Sequence, residues 1–176
     1  REIMVNENQK KVDFGYKSVK KNDKQKLVNN VFNSVARKYD LMNDITSLGI
    51  HRRWKNDLIN WLAPQSNQNL ADIAGGTGDI AKKFLKAGGG NAHVYDVNKA
   101  MLNKGQIKNK GIKKIKWTIA SAENIPAPEF SFERVTMGFG LRNITDRIKA
   151  LKEVYRILKP GGRFICLEFS HVENDI

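Results

Sequence analysis

From residue 69 to residue 169 the chain alternates short apolar runs with segments of helical period, and that alternation restricts the fold more than any other feature. Residues 69–74, 93–97, 115–120, 135–139 and 163–169 read as strands; residues 79–87, 100–110 and 146–158 read as helices. A strand, a helix and a further strand in one sheet require a long right-handed crossover. The expected class is therefore α/β, a mostly parallel sheet with helices on both faces. Leu151, Val154, Tyr155 and Leu158 form the expected buried face of the last helix, with Thr145 as its N-cap. "KPGG", residues 159–162, reads as the turn into the last strand.

Ahead of the sheet the composition changes. Residues 1–22 are polar and lysine-rich and read as a flexible basic arm. Residues 23–64 read as a helical segment. In it Leu27, Val28, Val31, Phe32, Val35 and Ala36 recur at helical spacing, and Tyr39 extends their face. A second helix over 50–62 carries Trp54, Leu58 and Trp61, read as core, and stops before Pro64. Residues 65–176 form the expected α/β domain. Within it "KAGGGNAHV" reads as a flexible joint or as a place where residues have been lost. Five strands ending at residue 176 leave an open sheet edge, so further carboxyl-terminal sequence is expected.

Composition narrows the classes. The formal charge of +13, from 31 basic and 18 acidic residues, favours an anionic surface as partner. The basic residues are spread along the chain, and no basic patch is interleaved with base-stacking aromatics, so nucleic acid is not the expected partner. The single cysteine, Cys166, excludes an internal disulfide, points to a reducing compartment and reads as a small core side chain. No apolar run reaches the roughly 18 residues of a membrane span. His51, His93 and His171 lack metal-ligand spacing, so no metal is expected.

The stretch "DIAGGTGDIAKKF", Asp72 to Phe84, places a glycine turn between a strand and a helix. Such a turn lets a backbone approach a ligand, either a dinucleotide or S-adenosylmethionine (SAM). Asp96, at the end of the next strand, suits the ribose of both. A P-loop is excluded, because no Gly-Lys-Ser/Thr follows. Charge separates the remaining two. A pyrophosphate needs a helix amino terminus clear of anions, whereas Asp72 and Asp79 flank this one. Two carboxylates favour a cationic sulfonium, hence SAM. In that reading Gly75, Gly76 and Gly78 admit the methionine part of SAM and Thr77 donates to its carboxylate. Asp96 takes the ribose hydroxyls, and Ser121, Ala122 and Glu123 border the adenine.

"LADIAGGTGD", "YDVNKAML", "FGLRNITD", "ALKEVYRILKPGG" and "LEFS", with "VFNSVARKYDLMNDITSLGIHRRWK" ahead of them, resemble the ubiquinone/menaquinone biosynthesis C-methyltransferase family over about residues 14–170. The resemblance implies a Rossmann-like class I methyltransferase sheet with amino-terminal helices and strands beyond the fifth. It implies SAM-dependent methylation of a polyprenyl quinol ring carbon, on demethylmenaquinol, on a 2-polyprenyl-6-methoxy-1,4-benzoquinol, or on both. The chain departs from the family at Ser121, where Asn is common, and at Gly138, where Ser is common, a position assigned to the cofactor pocket.

Ring methylation needs a cation beside the quinol oxygen, to stabilise a developing phenolate. Arg142, in "FGLRN", is the candidate; Asn143 holds the ring oxygen and Tyr39 orients either partner, with Asn43 and Asp44 as lid candidates. A polyprenyl substrate implies peripheral contact with an anionic membrane from the cytoplasmic side, or from the mitochondrial matrix in a eukaryote. A quinone-synthesis complex and a homodimer are further partner expectations. Two readings compete: a non-catalytic SAM-binding scaffold for such a complex, and another small-molecule or RNA methyltransferase.

Overall fold

The computed structural model of the chain describes residues 11–14, 17–20, 23, 27 and 50–169. Tyr39, Asn43 and Asp44 lie outside them, as does nearly all of the first expected helix. Inside the arm expected over 1–22, β1 (Lys11–Phe14) and β2 (Lys17–Lys20) pair as an antiparallel hairpin, with Val12 opposite Val19.

The main body is a five-stranded sheet in the order β5-β4-β3-β6-β7. Its strands are β3 (Asn69–Ile73), β4 (Asn91–Asp96), β5 (Ile115–Ile119), β6 (Phe132–Gly138) and β7 (Leu158–Leu167). Every neighbouring pair is parallel. The crossovers carry α2 (Asp79–Lys86), α3 (Lys99–Lys108) and α4 (Arg147–Ile157), and α1 (Ile50–Leu62) precedes the sheet. Winding runs from β3 outward to β5, then returns to β6 on the other side of β3. That reversal puts the topological switch between β3 and β6, where open α/β sheets bind ligands at the strands' carboxyl ends.

Two apolar clusters hold the layers, one on each face. Leu58, Leu62, Leu70, Ile80, Phe84 and Val94 join α1 and α2 to the sheet. Ala71, Ile73, Tyr95, Val135, Met137, Val154 and Ile157 join α4 to the opposite face. Alternation along the strands explains the division: Leu70 and Val94 face one way, Ala71 and Tyr95 the other.

The register of the helices departs from expectation. Ala150, Val154 and Ile157 form the buried face of α4, while Leu151 and Tyr155 are exposed, Tyr155 at 80%. Trp61, read as core, is also exposed, because α1 turns His51, Leu58, Ile59 and Leu62 inward. Asp146, not Thr145, caps α4, its Oδ1 accepting from the Lys149 amide at 3.0 Å. "KPGG", expected as a turn before the last strand, lies inside β7, where the register against β6 slips between Phe132 and Arg134 as at a bulge. Cys166 lies exposed on that strand, which has no neighbour on its far side among the described residues.

The three glycines after α2 are an ordered helix end and not a joint. Gly88 has φ +93°, its amide donates to the Leu85 carbonyl, and the Gly89 amide donates to that of Phe84. This is the Schellman arrangement, and it needs a residue free to adopt the left-handed conformation. A side chain on Gly89 would overlap the Phe84 ring, and the Gly90 amide donates to the Gln68 carbonyl, which joins the helix end to the start of β3.

Candidate active site

The loops after β3 and β6 meet at the switch point. A Cβ on Gly140 would fall 2.7 Å from that of Ala74, so the two loops are in contact. The first loop is the glycine turn. Gly76 and Gly78 have φ of +55° and +71°, and Gly78 is also the N-cap of α2. A side chain on Gly78 would strike the Trp117 ring at 2.5 Å, and one on Gly75 would strike the Asp72 carboxyl at 2.8 Å. The turn is therefore glycine for its own packing as well as for any ligand.

Its amides are already engaged. Gly75 N–H donates to the Tyr95 carbonyl at 3.2 Å, Gly76 N–H to Asp96 Oδ2 at 2.9 Å, and Gly78 N–H to the Gly75 carbonyl at 2.9 Å. A pyrophosphate is held by amides of this kind when they converge on it unpaired. Here these three turn inward, which takes them out of any such cradle.

The carboxylates are arranged differently from the sequence expectation. Asp72 does not ring the turn; it is fully buried beneath it, with Oδ1 accepting from the Thr136 hydroxyl at 2.9 Å. Its Oδ2 meets no partner at hydrogen-bonding distance. Burial pushes the Asp72 pKa up to about 7, against the pull of the Thr136 hydroxyl and the Lys55 ammonium. Asp79 does lie at the start of α2, but it pairs with Lys55 of α1 at 2.8 Å. Burial acts to raise Asp79, and Lys55, helped by Lys83 and Lys108, overcomes it and holds the carboxyl below its ordinary range. The two charges thus repel an anion less than their sequence position suggests.

Asp96 closes the site from β4. Its Oδ1 accepts from the Asn98 amide at 2.8 Å while Oδ2 holds Gly76. Burial raises its pKa, and the amides of Asn98, Gly76 and Val97 oppose that rise. Asn98 in turn caps α3 through the Met101 amide. After β5, Ser121 Oγ accepts from the Glu123 amide at 3.1 Å, and Glu123 Oε1 accepts from the Asp146 amide at 2.9 Å. Ala122 is buried in the core, so only its backbone is available to a ligand. Thr77 is 4% exposed, and Gly138 ends β6 against Ile80, where a serine side chain would meet Ile80 Cδ1 at 2.5 Å.

Beyond β6, Leu141–Asn143 form a single turn of 3-10 helix carrying Arg142. The Arg142 guanidinium pairs with Glu168, Nη1 to Oε1 at 2.8 Å, and lies 5.0 Å from the centre of the Phe169 ring. Phe169 stacks on Phe139 at 4.8 Å, and Trp54 of α1 meets Phe169 edge-on at 5.8 Å. Phe139 itself holds φ +57°, an unusual value for an aromatic residue. Asn143, half-buried, follows directly. The topology thus brings Gly75, Gly76, Thr77, Gly78, Asp96, Ser121, Gly138, Arg142 and Asn143 to one edge of the sheet. Glu168, Phe139, Phe169 and Lys55 were not singled out from the sequence. Glu168 and Phe169 stand in the "LEFS" stretch, the one signal that could have marked them.

The sheet order, the glycine turn after its first central strand and the acidic residue ending the next strand define a Rossmann-like class I methyltransferase fold. Solved structures agree. YcgJ of Bacillus subtilis superposes with a TM-score of 0.66 at 25% identity, over 70% of this chain and 53% of its own. A SAM-dependent methyltransferase of Aquifex aeolicus superposes with a TM-score of 0.61 at 20% identity, over 69% and 67%.

The chain belongs to the ubiE/COQ5 methyltransferase family, which matches residues 18–176. The ubiquinone/menaquinone biosynthesis C-methyltransferase UbiE of Brucella abortus (strain S19) is 49% identical over 167 residues. That alignment covers 91% of this chain and 62% of the relative. UbiE of Rickettsia bellii (strain OSU 85-389) is 49% identical over 174 residues, 93% of this chain and 69% of the relative. The chain thus spans somewhat under two thirds of the Brucella relative's length.

Proposed function

We propose that the protein is a SAM-dependent C-methyltransferase that methylates a ring carbon of a polyprenyl quinol. The observation that carries this reading is the meeting of the glycine turn with an aromatic-lined arginine across the switch point, in a chain 49% identical to UbiE proteins. The substrate follows from those relatives: demethylmenaquinol, a 2-polyprenyl-6-methoxy-1,4-benzoquinol, or both.

The residues fit the cosubstrate. SAM supplies an electrophilic methyl group on a cationic sulfur. Gly75, Gly76 and Gly78 leave the turn without side chains, so a ligand can lie against its backbone. Thr77 follows at the same bend. Asp96 presents a carboxylate at the carboxyl end of β4, where ribose hydroxyls find an acceptor. Ser121 and the Ala122 backbone border the base, and Gly138, packed against Ile80, can offer the ligand only its backbone. Asp72 acts indirectly, by supporting the turn from below.

On the quinol side, Arg142 places positive charge beside the ring oxygen and stabilises the phenolate that makes the ring carbon nucleophilic. Asn143 holds that oxygen, and Tyr39 orients the ring or Arg142. Trp54, Phe139 and Phe169 offer an apolar wall to the ring. In-line alignment of sulfur, methyl and carbon supplies much of the rate.

A lipid-tailed substrate also gives the +13 charge a role, reversible contact with an anionic membrane from the cytoplasmic or matrix side. No described helix is long and apolar enough to cross a membrane, and no described group of residues could hold a metal.

Transfer of labelled methyl from SAM to a short-chain demethylmenaquinol tests the proposal. Arg142→Ala should lower kcat by about 100-fold or more and leave SAM affinity within about twofold, since it removes a donor that matters in the transition state. Tight SAM binding with no labelled quinol would mean a non-catalytic scaffold.

A further inference from the structure

We infer that Glu168 is a positioning residue for Arg142, a role that rests on the reading of Arg142 as the cation beside the quinol oxygen. Glu168 follows β7, and its carboxylate is held by three donors. Oε1 accepts from Arg142 Nη1 at 2.8 Å and from the Phe169 amide at 3.0 Å; Oε2 accepts from the Arg142 amide at 3.0 Å. One carboxylate thus fixes both the backbone and the side chain of Arg142, and ties the loop after β6 to the end of β7.

The other side of the guanidinium rests on Phe169, within cation–π range of its ring. Phe169 is backed by Phe139, whose amide donates to the Leu167 carbonyl at 2.6 Å. Arginine is a long, rotamer-rich side chain, so an unrestrained one would reach the ring oxygen in few of its conformations. A guanidinium held between Glu168 and Phe169 is oriented before substrate arrives.

Two features separate this role from others. The Arg142 side chain is 47% exposed, and an ion pair so exposed contributes little to folding. Both carboxylate oxygens are also already turned to donors of Arg142 and Phe169, so their contacts hold that loop. Orientation is the function that remains.

The test is a double-mutant cycle in the full-length polypeptide, read by labelled methyl transfer, SAM binding and thermal melting. Glu168→Gln keeps the shape and loses the charge. It should lower kcat by about 10- to 100-fold, the range expected of a displaced transition-state group. SAM affinity should stay within about twofold and the melting temperature nearly constant. Glu168→Asp should recover part of the rate. In the Arg142→Ala background, Glu168→Gln should change the residual rate less than about twofold, because the group it positions is gone.

Wild-type kcat in Glu168→Gln overturns the inference, and so does an equal loss in both backgrounds, which would mean action independent of Arg142. Full activity in Arg142→Ala would instead sink the reading of Arg142 itself. A drop in melting temperature that tracks the rate loss in both Glu168 variants would make the role structural and reject positioning.

Discussion

At the scale of single residues, burial sets the proton affinity of Asp72 and His93. Asp72 is an acid moved from 3.8 to about 7 by burial, so it holds its proton more tightly folded than unfolded. Its contribution to stability is complete below its unfolded value and is lost as pH rises to about 7. His93 runs the other way. Burial, with Lys116, moves it from 6.5 to about 4, and its ring bonds Thr118 at 2.7 Å and the Tyr95 hydroxyl at 2.9 Å. Stability is therefore lost as pH falls through 6.5 towards 4. The two slopes oppose each other between those values. Asp72→Asn removes one of them. The variant should be more stable than the wild type at pH 8 by about 2–4 kcal/mol, since a tenfold change in proton affinity on folding corresponds to about 1.4 kcal/mol. The difference should vanish near pH 4, as urea unfolding at the two pH values would show. An equal difference at both would mean that ionised Asp72 carries no burial cost.

At the scale of elements, caps and faces set where each helix begins and which side it buries. Asp146 and Thr145 are both capable caps by residue type. The structure selects Asp146 because Glu123 bonds its amide and holds the chain at the angle from which Oδ1 reaches Lys149. Asp146→Ala should cost about 1 kcal/mol. Thr145→Ala should stay within about 0.5 kcal/mol. Thermal melting of the two variants separates them, at about 2–4 °C per kcal/mol for a chain of this size. The end of α1 is held similarly from outside: Arg134 Nε donates to the Leu62 carbonyl at 2.7 Å, and Arg163 donates to that of Trp61. Both arginines come from sheet strands far along the chain, so nothing local to α1 announces them.

At the scale of the whole molecule, the proposed membrane contact rests on charge and exposed apolar surface. The whole chain carries a formal charge of +13, and Trp54, Phe139 and Phe169 cluster at the carboxyl end of the sheet. Sedimentation with vesicles should show tighter binding to anionic than to neutral lipid at low salt. The difference should shrink as salt shortens the screening length to about 10 Å at 0.1 M. Equal binding to both would detach the charge from the membrane. Ile148, Leu151 and Tyr155 leave a second apolar strip along the outer face of α4, at 65%, 37% and 80% exposure.

Arg142 and Asn143 came from the resemblance carried by "FGLRN", whereas the order of strands and helices, the glycine turn and the place of Asp96 at a strand end were legible in the sequence itself. Each depends on local rules: side-chain period, left-handed turns and the spacing of a strand from its loop. The inward half of α4, the exposure of Trp61 and the ordering of Gly88–Gly90 were not. Each depends on what lies opposite in space, whether the sheet face, the open side of α1 or the Phe84 ring. The charges at the turn show the same division. Residue order put Asp72 and Asp79 beside the glycines. Only tertiary packing buried one under Gly75 and gave the other Lys55, because a carboxylate's effective charge is set by its solvent and its partner, and neither is written at its own position.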